Sequence, residues 1–208
     1  MIGDGDPTVI PYGRDRTDWE VELGTVIGGA AKYVSANDAE DYVFGYMVTL
    51  DISDRGGRPP GGNPMRSDWF VGKGHDTFAP QGPWIVPKEF YGDPMEKLRQ
   101  TLSVGGTQMQ EATAGDMIHS LWELVEYASS IVTLFPGEVI NNGTSGGTGM
   151  GTAVRGAQRF LRRARLSRPP SMESERYACP WWPRIRRAGS PAPSFRPSIA
   201  IVTRSRPC

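Results

Sequence analysis

Asp18-Trp19-Glu20-Val21-Glu22-Leu23-Gly24-Thr25-Val26-Ile27-Gly28 decides how the rest of the chain is read. Its apolar and β-branched content predicts a strand. A strand has a side-chain period of two, so Glu20 and Glu22 project from the same face. Two like charges side by side raise each other's energy unless something neutralises them, and a divalent cation does so well. Taken alone, the pair reads more readily as a solvated strand face. The stretches around it reverse that preference.

Residues 2–15, with Pro7 and Pro11, read as a lead-in loop. After the strand stops at Gly28-Gly29, Ser35-Ala36-Asn37-Asp38 predicts a capping box and a short helix over 36–41. Residues 42–50 form a β-type run, apolar on both faces and therefore expected to be buried on both, which delivers Asp51 at its C-terminal end. A Gly-, Pro- and Arg-rich loop over 54–68, continuing through 69–78, has the length of a lid or binding loop. Trp69 and Trp84 read as core or loop anchors, and His75-Asp76 as a pair that orders the loop. Residues 84–87 are a short strand, and Asp93-Pro94 opens a helix with Asp as cap and Pro at its first position. Gly105-Gly106 predicts a hairpin with a primed turn. Thr113 and Asp116 form a second capping box. Beyond them Met117, Leu121, Leu124, Val125, Ala128, Ile131 and Val132 repeat at the helical period, predicting one helix over 113–134. His119, within it, reads as structural. Glu138-Val139-Ile140 is a strand that feeds the glycine-rich loop 142–149. Many strands and few helices, without βαβ alternation, place the chain in the α+β class.

The formal net charge of zero conceals a division. Residues 1–154 hold 10 Lys/Arg against 21 Asp/Glu, whereas 155–208 hold 13 Arg against two acids, Glu173 and Glu175. Both cysteines, Cys179 and Cys208, and eight of the 18 prolines also lie in the second part. No apolar run approaches the roughly 20 residues needed to cross a bilayer, and the acidic, glycine-rich start is unlike a signal peptide. The reading is cytoplasmic. On that reading the glycosylation triplet Asn142-Gly143-Thr144 is accidental, and Cys179 and Cys208 do not form a disulfide.

Taken together, the order of motifs is specific: Asp18-Trp19-Glu20-Val21-Glu22-Leu23, Gly45-Tyr46, Leu50-Asp51-Ile52-Ser53-Asp54-Arg55, Trp69-Phe70-Val71-Gly72-Lys73, Gln110, Pro136-Gly137-Glu138-Val139-Ile140 and Gly143-Thr144-Ser145-Gly146-Gly147. It resembles the catalytic domain of the fumarylacetoacetate hydrolase family over residues 2–160. The resemblance implies a mixed, β-rich α+β roll, a homodimer, and Mg²⁺ or Mn²⁺ (or Ca²⁺) as cofactor. It implies a 2-oxo, 2,4-dioxo or enol acid as substrate, with C–C hydrolysis, isomerisation or decarboxylation as the reaction, in the breakdown of aromatic compounds. Residue by residue, it implies Glu20, Glu22 and Asp51 as metal ligands, a hard oxygen-only set. Lys73 would act beside the metal where negative charge develops. Arg55 would grip substrate with its guanidinium fork, and Gly143 and Thr144 would cradle a substrate carboxylate. Gln110 reads only as satisfying backbone groups and is given no site role.

Two departures bear on activity. In the resemblance, a His/Glu general-base pair precedes the stretch that here begins at Ile2, and its loss would cost about 10²–10⁴-fold in water activation. From residue 161 the chain turns Arg-, Pro- and Ser-rich instead of building the closing strands of the roll. The expected organisation is a catalytic domain over 1–160 and a poorly ordered tail over 161–208, with the composition of a shifted reading frame. A basic arm for nucleic acid is the rival reading of the tail, and the interleaved prolines count against it. Two functions follow: a metal-dependent hydrolase of a dioxo acid, or a silent remnant that still binds metal.

Overall fold

The computed structural model describes residues 1–56, 68–152 and 156–162, together with the backbone of two short paired strands, Ser171–Met172 and Ile199–Ala200. The elements, in order, are β1 (Thr17–Asp18), β2 (Val21–Ile27), β3 (Val43–Leu50), β4 (Ser53–Asp54), α1 (Trp69–Lys73) and β5 (Gln81–Pro87). They continue with α2 (Lys88–Tyr91), α3 (Pro94–Lys97), β6 (Arg99–Val104), β7 (Thr107–Thr113), α4 (Leu121–Ile131) and β8 (Val139–Thr144). The arrangement is α+β, as the sequence predicts.

Four antiparallel strands form the central sheet in the order β5-β3-β2-β8. Every residue of β2 is buried. Odd-numbered side chains from Trp19, just ahead of β2, through Ile27 supply two apolar clusters in succession. Trp19 and Val21 pack with Leu50, Ile52, Phe78 and Leu102, while Leu23 and Ile27 pack with Tyr46, Leu98, Leu121 and Val125. The even-numbered positions carry Glu20 and Glu22. A slip of one residue would drive both carboxylates into these clusters, so the apolar set fixes the register of the acids. That register pairs Val21 with Leu50. The next step outward brings Glu20 beside Asp51, whose backbone amide donates to Glu20 O at 2.9 Å. The carboxylates therefore meet because two strands end together.

The β6–β7 hairpin turns at Gly105 and Gly106, with φ of +60° and +77°. Two consecutive residues with positive φ make the primed turn that the Gly-Gly pair predicts. Asp93 caps α3 through Met95 N at 2.8 Å, with Pro94 at the first helical position.

Three expectations are corrected. The helix expected over 113–134 is two pieces. The Thr113/Asp116 box closes only a 3₁₀ turn, Ala114–Asp116, and a second box, Ser120/Glu123, starts α4. His119 thus lies ahead of α4, exposed, and Ile131 and Val132 are exposed at its end. Near the other terminus, Ser35 Oγ donates to Asp38 Oδ2 at 2.7 Å, the two side chains satisfying each other. The helical turn is a 3₁₀ segment, Ala39–Tyr42, not a helix over 36–41. Finally, Trp69 and Trp84 are 70% and 69% exposed, so neither anchors a core. Most of the expected tail, 161–208, both cysteines and the 57–67 part of the predicted loop lie outside the described residues. No helix of the described residues is long and apolar enough to cross a membrane.

Candidate metal centre

Glu20, Glu22 and Asp51 each present a carboxylate oxygen within 4.8 Å of the other two. Lys73 comes from the C-terminal end of α1, a helix held at its start by Asp68 accepting from Val71 N. Its Nζ donates to Glu20 Oε2 at 3.0 Å and to Asp51 Oδ2. Arg55 follows β4, and its backbone amide is tied to Arg16 O at 2.9 Å. Its Nη2 donates to Glu20 Oε1 and its Nε to Asp18 Oδ2 at 3.1 Å. Glu22 has no cation partner of this kind among the described residues; its Oε2 accepts from Gly143 N at 3.0 Å.

Charge and burial explain the protonation of the set. Burial, then the neighbouring Asp51 and Glu20, push Glu22 up to about 7, with Gly143 N–H pulling the other way. Burial also raises Asp51, against the pull of Lys73. For Lys73 and Arg55 burial opposes the charged form, but the carboxylates they touch outweigh it and hold both above their ordinary values. Three crowded carboxylates, one of them costly to ionise, are an all-oxygen donor set that fits a hard divalent cation.

The structure brings all seven sequence-nominated residues into this one region. It also shows what their donors already do. Arg55 closes its fork on Asp18 and Glu20 instead of holding it open. Gly143 N–H is used by Glu22, and the Thr144 hydroxyl donates to Val21 O at 2.8 Å.

Asp18 has a part that the sequence reading gave it no reason to have. Its carboxylate is fully buried and accepts from Trp19 N (2.8 Å), Gly149 N (2.5 Å), Met150 N (3.0 Å) and Arg55 Nε. It therefore ties the glycine-rich loop to the metal strand and to Arg55 at once. The contact demands a glycine at 149: a Cβ there would lie 1.9 Å from Arg159 O and 2.5 Å from Asp18 Oδ1. Gly149→Ala should lower unfolding free energy by about 2–3 kcal/mol through overpacking, read as a lower denaturant midpoint at unchanged slope. His75 packs edge-on against Phe78, 5.0 Å between centroids, and its carbonyl accepts from Phe78 N.

A family model described as the fumarylacetoacetate (FAA) hydrolase C-terminal domain matches residues 1–167. The chain belongs to the fumarylacetoacetate hydrolase family. It is 41% identical over 151 residues to a 2,4-didehydro-3-deoxy-L-rhamnonate hydrolase of Sphingomonas sp. (strain SKA58), covering 73% of this chain and 51% of that protein. Among solved structures it is similar to maleylpyruvate hydrolase from Sphingobium sp. SYK-6, crystallised with manganese(II) and pyruvate. The identity is 35% and the TM-score 0.61, over 71% of this chain and 51% of that one. It is also similar to 5-carboxymethyl-2-hydroxymuconate delta-isomerase from Mycobacterium smegmatis, at 36% identity and a TM-score of 0.63, over 71% of this chain and 55% of that one. The chain spans about half the length of the curated relatives it matches. Its α+β fold is that of the fumarylacetoacetate hydrolase family, as the sequence motifs imply.

Proposed function

We propose that residues 1–160 form the divalent-metal centre of a hydrolase that cleaves a C–C bond in a 2,4-dioxo acid. The observation that carries this is the convergence of Glu20, Glu22 and Asp51 at the paired ends of β2 and β3, with Lys73 reaching two of them. Glu20, Glu22 and Asp51 would hold Mg²⁺ or Mn²⁺, with Ca²⁺ as a weaker fit. Such a cation supplies Lewis-acid polarisation of an oxo group. Lys73 places a second positive charge at the edge of the carboxylate set, where it stabilises an oxyanion developing next to Glu20 and Asp51. Arg55 spans Asp18 and Glu20, and its positive charge beside the centre would draw a substrate carboxylate towards it. Gly143 and Thr144, at the end of β8, lead into the glycine-rich loop beside the centre, with Thr144 paired to Glu22. The hydrolases to which the chain is similar support a dioxo acid, and the bound pyruvate in one of them supports an oxo-acid moiety. A homodimer in the cytoplasm, serving aromatic breakdown, belongs to the same proposal.

Similarity to a delta-isomerase favours a second reading, in which the same centre shifts a double bond without adding water. Loss of a diketo acid's ultraviolet absorbance with release of two products supports hydrolysis; one isomeric product supports the second reading. Asp51→Asn tests the centre itself. Losing an outer-shell partner of a metal ligand costs about 10–100-fold in affinity, so losing a ligand should weaken Mn²⁺ by at least about 100-fold in calorimetry. Unchanged Mn²⁺ affinity would remove Asp51 from the centre.

A further inference from the structure

Val21 lies between the two glutamates of the metal strand, and its peptide groups are bound by side chains. The pairing of β2 with β8 shifts register between Glu22 and Gly24. Beside this irregularity, the β6–β7 hairpin presents two glutamines to the stretch. Leu102 pairs with Gln110, and Gln100 is two residues away on β6, so the two amides share a face of the hairpin. Turned so that its nitrogen faces Val21 O (3.3 Å) and its oxygen faces Leu23 N (3.2 Å), the orientation these two partners require, the Gln100 amide satisfies both. Gln110, 1% exposed, accepts from Val21 N at 3.0 Å and donates through Nε2 to Thr144 Oγ1 at 2.8 Å and Ser145 O at 2.9 Å. Its orientation is fixed by its partners: Val21 N can only donate and Ser145 O can only accept.

One consequence is chemical. Thr144 Oγ1 accepts from Gln110, so its single proton is directed to Val21 O, 2.8 Å away. The Thr144 hydroxyl therefore has no proton left for a substrate carboxylate. Its work is to join the loop to the peptide between Glu20 and Glu22, with Gln110 as the third corner.

We infer that Gln110 is a positioning residue, which sets the glycine-rich loop 143–149 at a fixed distance from the carboxylates of Glu20 and Glu22. Its effect on ligand binding rests on the oxo-acid reading above; its effect on the loop does not. Gln110→Glu separates the two halves of the amide's role at pH 8. An ionised Glu keeps an acceptor for Val21 N but cannot donate to Thr144 or Ser145. Gln110→Leu removes both. The measurements are amide hydrogen exchange in the free protein and calorimetric binding of pyruvate at saturating Mn²⁺.

With Gln110→Glu, the Val21 amide should stay protected while exchange at Gly143 rises at least tenfold, and pyruvate should bind at least tenfold more weakly. Mn²⁺ affinity should move less than threefold. Gln110→Leu should lose Val21 protection as well. If Gln110→Glu leaves both Gly143 exchange and pyruvate affinity at wild-type values, the positioning role is overturned. A fall in melting temperature with no change in either would likewise reduce Gln110 to a packing role. If the wild type binds no pyruvate, the oxo-acid reading falls, and Gly143 exchange alone decides whether Gln110 places the loop.

Discussion

Asp18→Ala should lower the free energy of unfolding by about 3–5 kcal/mol, the scale of breaking a buried charged pair by removing one partner. The loss has three parts. Gly149 N, Met150 N and Trp19 N would lose their common acceptor in a site closed to water, and unsatisfied buried donors cost about 1–3 kcal/mol each before relaxation. The Arg55 guanidinium would keep Glu20 but lose Asp18, so a half-buried cation would be left with one counter-charge. The side chain itself would leave a void between β1 and the loop. Chemical denaturation with fluorescence and circular dichroism would read the change. Asp18→Asn, which keeps the shape and at most part of the hydrogen bonding, should fall between alanine and wild type. A wild-type midpoint for Asp18→Ala would mean that the loop is held by something else.

Divalent cations should stabilise this protein more at pH 8 than at pH 6. In the metal-free fold Glu22 titrates near 7, against an ordinary value of 4.5. A carboxyl whose value is raised by folding binds its proton more tightly in the native state. Its contribution therefore favours folding at low pH, and is withdrawn as pH climbs from 4.5 to about 7. Above 7 the group is charged beside Asp51 and Glu20, and a cation that binds there restores what repulsion and burial removed. Below 7 the cation must first displace the proton, so its apparent affinity should fall by about tenfold per pH unit. The shift in thermal midpoint on adding Mg²⁺ at each pH is the measurement. Equal shifts at pH 6 and pH 8 would show that Glu22 does not change protonation when the cation enters. Glu22→Gln should lose the pH dependence and most of the stabilisation together.

That Glu20, Glu22 and Asp51 form one ligand set came only from the family resemblance, since the glutamate pair alone reads as a solvated strand face. Their placement is local: a strand's alternation puts Glu20 with Glu22, and the end of the next apolar run delivers Asp51. The Gly105-Gly106 hairpin and the Asp93-Pro94 helix start were legible for the same reason, since turn and cap chemistry act over two to four residues. The roles of Asp18 and Gln110 were not. Asp18 meets Gly149 across 131 positions and Gln110 meets Val21 across 89, and no local period encodes such a pairing. The capping box at Thr113 misled because a box satisfies the first amides of any helical turn. It fixes where a turn begins, and the extended backbone at Met117, followed by a second box at Ser120, decides how far it runs. Trp69 and Trp84 misled through their size: large aromatic residues are usually well covered, yet both stand at the surface.

The spacing of the centre along the chain has a consequence for synthesis. All three acids and Arg55 lie between positions 20 and 55 and leave the ribosome close together, as β2 and β3 become able to pair. Lys73 follows shortly, but Gly143 and the amides that seat Asp18 emerge only after the hairpin and α4. Until Gly143 emerges, a nascent chain carries Glu22 without the backbone amide that meets its carboxylate, on a strand whose outer edge still waits for β8. If the proposed centre takes a divalent cation, that cation would serve as counter-ion to such an intermediate and take part in assembly before any substrate arrives.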